Sequence, residues 1–234
     1  MKFEQLAPQV STLQYSSNEQ IHEIFEFVMT HRPSRILELG TAYGKATVTM
    51  AAALQELGAG SVDTVDLKAA NERFYADSCS RHLEALGLSE FAEIHLENHS
   101  YNWFLKKRLE QQLDGDRIEP LYDFVFIDGS HNFTVDGLAF FLCTRLMKPN
   151  AWVLFDDLRY NYHTMNERSG ISNQFSLDTY DPRSRVVRAP MGDDELKACH
   201  VGLIYELLVK TSPEFHNFRY SCDGNWGYAQ KRAD

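Results

Sequence analysis

The sequence of residues 36–44 is ILELGTAYG, a short apolar run followed by two closely spaced glycines. We predict a strand from Arg35 to Leu39 that ends abruptly at Gly40. Gly40 lets the chain turn tightly off the strand, and Gly44 lets a following helix and a ligand approach the backbone closely. The spacing differs from the GxGxxG of dinucleotide-binding turns, so it does not favour a nicotinamide cofactor.

Strand and helix patterns alternate along the chain around this stretch. The alternation predicts βαβ units and therefore an α/β protein with a doubly wound, mostly parallel sheet. The run FVFI at residues 124–127 suits a strand that is buried on both faces of such a sheet. The other predicted strands are Ser61–Leu67, Phe91–Leu96 and Trp152–Phe155, after a turn at residues 148–150. The predicted helices cover residues 17–31, 48–54, 76–86, 103–113 and 135–147.

The alternation stops after residue 157. Residues 158–200 are polar and rich in aromatic side chains, and we interpret them as an insert on the substrate side. Helical character returns at residues 202–210, and residues 215–230 are predicted to form an antiparallel hairpin that completes a seven-stranded sheet. Because no repeat or low-complexity linker interrupts the chain, residues 1–234 are predicted to form one domain, with residues 1–32 as an N-terminal helical cap.

The composition limits the partners that this chain can have. Its 234 residues include 33 Asp+Glu and 23 Lys+Arg, which gives a formal net charge of −10. This balance argues against nucleic acid or a membrane surface as the main partner, because both attract positive charge. We accordingly interpret residues 106–108 (Lys-Lys-Arg) as a solvated helix face. With no apolar run of about 18 residues, no secretory signal and four scattered cysteines, a cytoplasmic protein with reduced thiols is expected.

Carboxylates follow several of the predicted strands. Asp66 ends the second strand, where a carboxylate can accept hydrogen bonds from both hydroxyls of a ribose. Asp128 follows the fourth strand, and Asp156 and Asp157 follow the fifth. Because adjacent parallel strands bring their carboxyl ends together, the last three acids are expected to converge in one pocket. Carboxylates so close together repel unless a proton or cation neutralises them, and oxygen ligands suit Mg²⁺.

Three motifs stand out together: ILELGTAYG at residues 36–44, the pair Val65-Asp66, and FVFIDGSH at residues 124–131. In this combination the chain resembles the class I S-adenosylmethionine-dependent methyltransferases, over about residues 20–160. The resemblance implies that Glu38 positions the methionine ammonium of the cofactor. It also implies that Asp66, with Leu67 beside it, holds the ribose. The other residues that it places at the cofactor are Gly40, Thr41, Ala42, Tyr43 and Gly44 around the methionine moiety, His99 and Ser100 near the adenine, and Asp128.

Within that class, the pattern of Asp128 followed by Asp156-Asp157 resembles the metal-dependent O-methyltransferases. The resemblance implies that these three acids hold Mg²⁺ or a similar divalent cation. His131 stands where the catechol-methylating members have a lysine base, and an imidazole titrates near neutral pH. His131 is therefore the candidate base, and His163 is the rival. Tyr160, Tyr162 and Tyr180 in the insert are candidate lid or substrate contacts.

These observations predict a methyl transfer from S-adenosylmethionine to an oxygen of a small-molecule acceptor. Two alternatives stay open. One is an NAD-dependent oxidoreductase of the Rossmann type, which shares the ribose carboxylate but does not explain the acid cluster. The other is a cofactor-binding protein without methyl transfer, which needs neither base nor metal. The sequence leaves the identity of the acceptor and a homodimeric assembly open.

Overall fold

The computed structural model describes residues 1–164 and 191–233, and within them seven strands form one sheet. They are β1 (Arg35–Leu39), β2 (Ser61–Leu67), β3 (Ala92–Glu97), β4 (Tyr122–Ile127), β5 (Met147–Phe155), β6 (Phe215–Ser221) and β7 (Trp226–Lys231). The order across the sheet is β3-β2-β1-β4-β5-β7-β6. β1 to β5 are parallel, whereas β7 pairs antiparallel with β5 and β6. The predicted doubly wound, seven-stranded α/β sheet with an antiparallel C-terminal hairpin is confirmed.

Helices connect the strands and cover the sheet. They are α1 (Phe3–Val10), α2 (Asn18–His31), α3 (Lys45–Leu57), α4 (Lys68–Ala70), α5 (Ser78–Ala85), α6 (Tyr101–Gln111), α7 (Phe133–Leu146), α8 (Asp193–Lys197) and α9 (His200–Ile204). α4 and α9 continue into π-helical turns at Asn71–Tyr75 and Tyr205–Val209. None of the helices in the described part of the chain is both long and apolar enough to cross a membrane.

α2 shows how the local sequence sets an element. Ser17 caps its N-terminus by accepting a hydrogen bond from the backbone N–H of Gln20, whose side chain accepts one from the Ser17 N–H in return. Arg32 ends the helix in the left-handed conformation, with φ of 49°. The apolar side chains at helical spacing are buried against the sheet, so the helix predicted over residues 17–31 is confirmed.

Two predictions about local structure are wrong, and one element was missed. The chain does not turn at residues 148–150, because β5 already begins at Met147; Asn150 instead adopts a left-handed conformation inside the strand, with φ of 64°. The helix predicted from residue 76 begins at Ser78, because Ala76 and Asp77 are left-handed. A short hairpin, formed by Leu113–Asp114 and Arg117–Ile118, follows α6 and was not predicted.

Two apolar layers form the core, one on each face of the sheet. α1, α2, α3 and α5 contribute to the first, and α6, α7 and α9 contribute to the second. Residues of β1 alternate between them, with Ile36 in the first layer and Leu37 and Leu39 in the second. Cys79 is buried in the first layer and Cys143 in the second.

The interpretation of residues 106–108 as a solvated face is wrong for Arg108. Its Nη2 lies 3.3 Å from Oδ1 of the buried Asp63 in β2, which also pairs with Arg35 at 3.0 Å. Tyr122 and His95 donate to the same carboxylate. One charge of α6, that of Arg108, therefore pairs with a buried acid, at a level of the sheet away from the carboxyl ends of the strands.

Candidate active site

The loop after β1 is held against the loop after β4. Gly40 has φ of 105°, and a Cβ added to it would lie 1.9 Å from the carbonyl oxygen of Asp128. Gly44 has φ of 86°, and a Cβ there would lie 2.5 Å from that of Cys79 in α5. Both glycines are required because their backbones touch neighbouring elements in a conformation that other residues rarely adopt. The tight turn expected at Gly40 and the close helix approach expected at Gly44 are both present.

Asp66 ties the end of β2 to the same loop. Its Oδ2 accepts hydrogen bonds from the backbone N–H groups of Thr41 at 3.1 Å and Ala42 at 2.7 Å. Its Oδ1 accepts one from Leu67 at 2.6 Å. Burial raises the pKa of Asp66, while these three hydrogen bonds act to lower it. Asp66 thus fixes the loop and presents its carboxyl group to the space beyond the strands.

Glu38 lies one layer below that loop. Its side chain is 1% exposed and accepts hydrogen bonds from the hydroxyls of Thr47 in α3 and Thr64 in β2. Thr64 shares a further 2.6 Å hydrogen bond with Thr41. Burial raises the pKa of Glu38 to about 8. The hydrogen bonds from the two threonines oppose this shift, and the charges of Asp128 and Asp66 add to it. A neutral acid therefore underlies the loop at pH 7.

A cavity of about 1100 Å³, here called the main cavity, opens at the carboxyl ends of the parallel strands. Its position agrees with the rule that ligands of open α/β sheets bind beyond these ends. The lining residues do not include Glu38, Thr41, Tyr43 or Gly44. The ring of Tyr43 makes an edge-on contact with the ring of Tyr75, which does line the cavity, with 5.0 Å between the ring centroids. The predicted site residues that do line it are Gly40, Ala42, Asp66, Leu67, His99, Ser100, Asp128, His131, Asp156 and Asp157.

Asp128, His131 and Asp157 converge in the main cavity, and we name them the acid–histidine cluster. His131 Nε2 lies 3.0 Å from Oδ2 of Asp157 and 3.7 Å from Oδ1 of Asp128. One ligand atom from each of the three lies within 4.8 Å of the other two. Nε2 is buried and makes no well-aligned hydrogen bond. The donor set and the unsatisfied nitrogen fit a divalent cation.

Asp156 is separated from the cluster by its hydrogen bonds. Its Oδ1 accepts from the indole of Trp226 at 2.6 Å and from the backbone N–H of Asp157 at 2.6 Å. Asn225 donates to Asp157 Oδ1 at 2.9 Å. The β6–β7 hairpin therefore supplies Asn225 and Trp226 to orient the two acids that follow β5. Sequence analysis missed both residues, since their role depends on the antiparallel pairing of β7 with β5.

The charges of the cluster are unevenly balanced. Burial lowers the pKa of His131, but the adjoining carboxylates of Asp128 and Asp157 outweigh this effect and raise it to about 10. Burial raises the pKa of Asp128 and, well above its ordinary value, that of Asp156. Burial acts to raise the pKa of Asp157, but the hydrogen bond and charge of His131 lower it. Without a cation, one imidazolium faces three acids, and protons make up part of the difference.

Asp136 holds the loop that carries His131, which has φ of 55°. The Asp136 carboxylate accepts hydrogen bonds from the Tyr101 hydroxyl, from Ser130 Oγ at 3.3 Å and from the backbone N–H of Asn132 at 2.9 Å. Burial raises its pKa to about 7, against the backbone hydrogen bonds. Sequence analysis missed this residue; the available signal was an acid in the first turn of a markedly apolar helix.

The other candidates have different positions. Tyr160 lines the main cavity with its ring centroid 4.8 Å from that of His131, and the Tyr162 hydroxyl donates to the Ser130 carbonyl at 3.0 Å. Asn161 and Thr164 line the cavity, whereas His163 does not. Tyr180 lies outside the described residues. The geometry therefore favours His131 over His163 as the histidine at the reacting atoms.

Comparisons with solved structures find the same fold in several methyltransferases. The structure of an O-methyltransferase from Bacillus cereus in complex with SAH matches with a TM-score of 0.59 and 17% identity, over 97% of this chain and 88% of that one. The SAM complex of TomG from Streptomyces achromogenes, an O-methyltransferase involved in tomaymycin synthesis, gives 0.58 and 16%, over 98% and 89%. An SAH-bound methyltransferase from Podospora anserina gives 0.61 and 14%, over 98% and 86%.

These identities establish the shared fold. No curated protein matches the sequence. The family model described as "Methyltransferase domain" matches residues 37–158, which run from β1 to the residue after Asp157 and so contain both the glycine loop and the acid–histidine cluster. The chain therefore belongs to the methyltransferase domain family, and the prediction of a class I S-adenosylmethionine-dependent methyltransferase is confirmed.

Proposed function

We propose that this methyltransferase methylates a hydroxyl oxygen of a small molecule with the help of a divalent cation. The observation that carries the proposal is the convergence of two sets of residues in one cavity. Gly40, Ala42 and Asp66 lie on the side of β1 and β2, and the acid–histidine cluster lies on the side of β4 and β5. A donor and an acceptor held at these two sides share one enclosed space.

The first side suits S-adenosylmethionine, which supplies a methyl group made electrophilic by its sulfonium. Gly40 lets the loop after β1 pack against the Asp128 backbone at the wall of the cavity, and Asp66 offers its carboxyl oxygens to ribose hydroxyls. Glu38, buried beneath the loop, has no cation beside it among the described residues, and we assign its ionisation to the arrival of the methionine ammonium. The loop residues Thr41, Tyr43 and Gly44 shape the turn, while His99 and Ser100 line the cavity after β3.

The second side suits a hard or borderline divalent cation. Asp128 and Asp157 would hold it directly, and Asp156 would act from its position on Trp226. Carboxylate oxygens suit both Mg²⁺ and Mn²⁺, so the two ions are tested side by side. Such an ion supplies Lewis acidity that lowers the pKa of a bound hydroxyl.

His131 is the residue placed to accept the proton of the acceptor. With a pKa of about 10 it is protonated at pH 7 and unable to do so. That pKa rests on the two carboxylates beside Nε2, so a cation that neutralises them restores the neutral imidazole. The chain thereby links proton acceptance by His131 to the charge state of Asp128 and Asp157.

The structural relatives are described as O-methyltransferases, which supports an oxygen acceptor. Three further expectations remain predictions: a single domain over residues 1–234 with its N-terminal cap and insert, a cytoplasmic location, and a homodimer.

Calorimetric titration tests the cofactor, using S-adenosylmethionine and NAD, each with and without Mg²⁺ or Mn²⁺. We expect S-adenosylmethionine to bind and NAD not to bind. Transfer of tritium from its labelled methyl group to a pool of small hydroxylated compounds should require the cation and stop in chelator. Binding of NAD instead would support the oxidoreductase, and binding of S-adenosylmethionine without any transfer would support the cofactor-binding protein. Unchanged transfer in chelator would contradict the metal role.

A further inference from the structure

Arg159 is the one lysine or arginine among the described residues that line the main cavity. The other charged or titratable side chains include Asp66, the acid–histidine cluster, Asp156 and His99. A fixed cation in an otherwise acidic cavity attracts a negatively charged group of a ligand, and a guanidinium matches the two oxygens of a carboxylate or phosphate.

The backbone position of Arg159 is tied to the acid–histidine cluster through one side chain. Asn225 Oδ1 accepts a hydrogen bond from the backbone N–H of Arg159 at 3.2 Å. The Nδ2 of the same asparagine donates to Asp157 Oδ1 at 2.9 Å. A ligand that touches both Asp157 and Arg159 therefore meets two groups whose spacing is set by the β6–β7 hairpin.

Gly224 makes room for the guanidinium. A Cβ added to Gly224 would lie 2.9 Å from Nη2 of Arg159 and 3.3 Å from Cζ. Gly224 also has φ of 81°, which disfavours any other residue. The side chain of Arg159 thus lies flat against the hairpin turn, at a place where any larger residue would displace it.

The guanidinium keeps its donors available. No carboxylate of residues 1–164 or 191–233 lies within 4.0 Å of it, although Asp157 is two residues away in the chain and Asp223 lines one of the cavities that Arg159 lines. Arg35 and Arg108, by contrast, are both paired with Asp63. Arg159 is also exposed, so an anion can reach it.

Space for a ligand continues past Arg159. The residue also lines a second cavity of about 710 Å³, whose walls include Leu158, Leu203 and Tyr205. On the other side, the ring of Tyr160 covers His131. Tyr160 thus offers a planar surface between the acid–histidine cluster and Arg159, which both line the main cavity.

Resting on the proposed function, we infer that the methyl acceptor is an anionic hydroxy compound whose carboxylate or phosphate is bound by Arg159. Its hydroxyl lies at the acid–histidine cluster and its negative group lies at the junction of the two cavities. Arg159 then determines specificity: it selects the acid over the corresponding neutral compound.

Matched acceptors test this inference. We would compare kcat/KM for 3,4-dihydroxybenzoate, 3,4-dihydroxybenzamide and 3,4-dihydroxyphenylphosphonate, with S-adenosylmethionine and Mg²⁺ saturating. The native enzyme should prefer at least one acid over the amide by tenfold or more, and the better acid tells carboxylate from phosphate. In R159A the ratio should fall to about one, in R159K it should be intermediate, and in G224A it should fall with the arginine still present. R117A, at an exposed arginine of the short hairpin, serves as the control and should keep the native ratio.

Three outcomes would overturn the inference: an amide used as well as both acids, an R159A ratio equal to the native one, or no methylation of any of the three. A raised Kd for S-adenosylmethionine in R159A would also overturn it, because the guanidinium would then belong to the cofactor carboxylate. Failure of the proposed function has a different signature, namely loss of cofactor binding or of cation dependence in the native enzyme.

Discussion

Two groups of buried acids lie in the same sheet and are balanced in opposite ways. Asp63, inside β2, is surrounded by partners from the chain itself: Arg35, Arg108, His95 and Tyr122 all contact its carboxylate. Burial acts to raise its pKa, but these partners lower it to about 2. At the carboxyl ends of β4 and β5, Asp128 and Asp156 have raised pKa values, and His131 is the cationic member of the acid–histidine cluster.

The difference separates structure from function. A buried carboxylate that the fold supplies with cations is stabilised when the chain folds and needs nothing further. Carboxylates that lack such partners are held together at a cost, which protons reduce and which a bound cation, as proposed above, would reduce further. The acid–histidine cluster is of the second kind, and each of the following changes tests this division.

Removing an acid of the cluster should have the largest effect. We expect D157A to lower methyl transfer by about 10³-fold or more, because it removes a cation ligand and the partner of His131. The Kd for S-adenosylmethionine should stay within about threefold, since the cofactor residues lie on β1 and β2. Transfer assays and calorimetry measure the two quantities, and D116A, in the exposed hairpin, is the matched control. Transfer at the native rate in D157A would remove the cluster from the reaction.

Glu38 is a buried acid with hydroxyl partners, and its prediction concerns pH. Its pKa of about 8 in the folded protein exceeds the ordinary value of 4.5, so the folded state keeps a proton that the unfolded state releases between these values. The contribution of Glu38 to stability is therefore full below pH 4.5 and is lost as pH rises to about 8, by up to about 1.4 kcal/mol per pH unit. E38Q cannot ionise, so this loss should disappear.

Urea unfolding of the cofactor-free protein at pH 5, 6, 7 and 8 measures this effect. The stability of E38Q relative to the native protein should rise steadily over that range, whereas the exposed E119Q should follow the native curve. Parallel curves for E38Q and the native protein would show that Glu38 is ionised in the fold and already balanced, like Asp63.

Asp63 should behave in the reverse manner. Its folded pKa of about 2 lies below the ordinary value of 3.8, so its stabilising contribution is present above pH 3.8 and is lost as pH falls towards 2. The shift corresponds to roughly 2 kcal/mol at neutral pH. D63N should lower the free energy of unfolding at pH 7 by about that amount and should leave methyl transfer near the native level below the unfolding transition. A much smaller loss of stability would mean that Arg35 and Arg108 are satisfied without the charge.

The sequence predicted the acid cluster better than the Asp63 network, for a physical reason. Acids at strand ends are brought together by any parallel sheet, so Asp128, Asp156 and Asp157 were identifiable once the strands were. The partners of Asp63 come from β1, β3, β4 and α6, and the Arg108 contact requires the orientation of a helix relative to the sheet. Helix orientation follows from packing, which a linear pattern does not encode.

The same reason explains why His131 was identified from the sequence and the residues that orient the site, Asn225 and Trp226, were not. FVFIDGSH carries His131 at a fixed offset from Asp128, so a local motif was enough. Asn225 and Trp226 reach the site through the antiparallel hairpin, far along the chain. Gly224 and Arg159 meet only because that hairpin turns beside the end of β5. Residues that orient the site were therefore beyond the sequence, whereas those that end the strands were within it.

Asp136 gives the smallest expected effect, because it acts on the cluster through the loop between β4 and α7. In D136N one carboxylate oxygen becomes an amide N–H₂, which cannot accept the hydrogen bonds of Asn132 N–H or Tyr101 O–H. The loop that carries Asp128 and His131 is then less firmly held, and groups that orient metal ligands in this way contribute about 10-fold or more to metal affinity. We expect Mn²⁺ to bind about 10-fold more weakly to D136N by calorimetry, with a smaller loss of kcat at saturating Mn²⁺. Equal Mn²⁺ affinity in D136N and in the control D116N, with both proteins folded by circular dichroism, would show that His131 takes its position without Asp136. A fall in kcat that saturating Mn²⁺ does not relieve would instead assign Asp136 to the geometry of proton acceptance at His131 rather than to the cation.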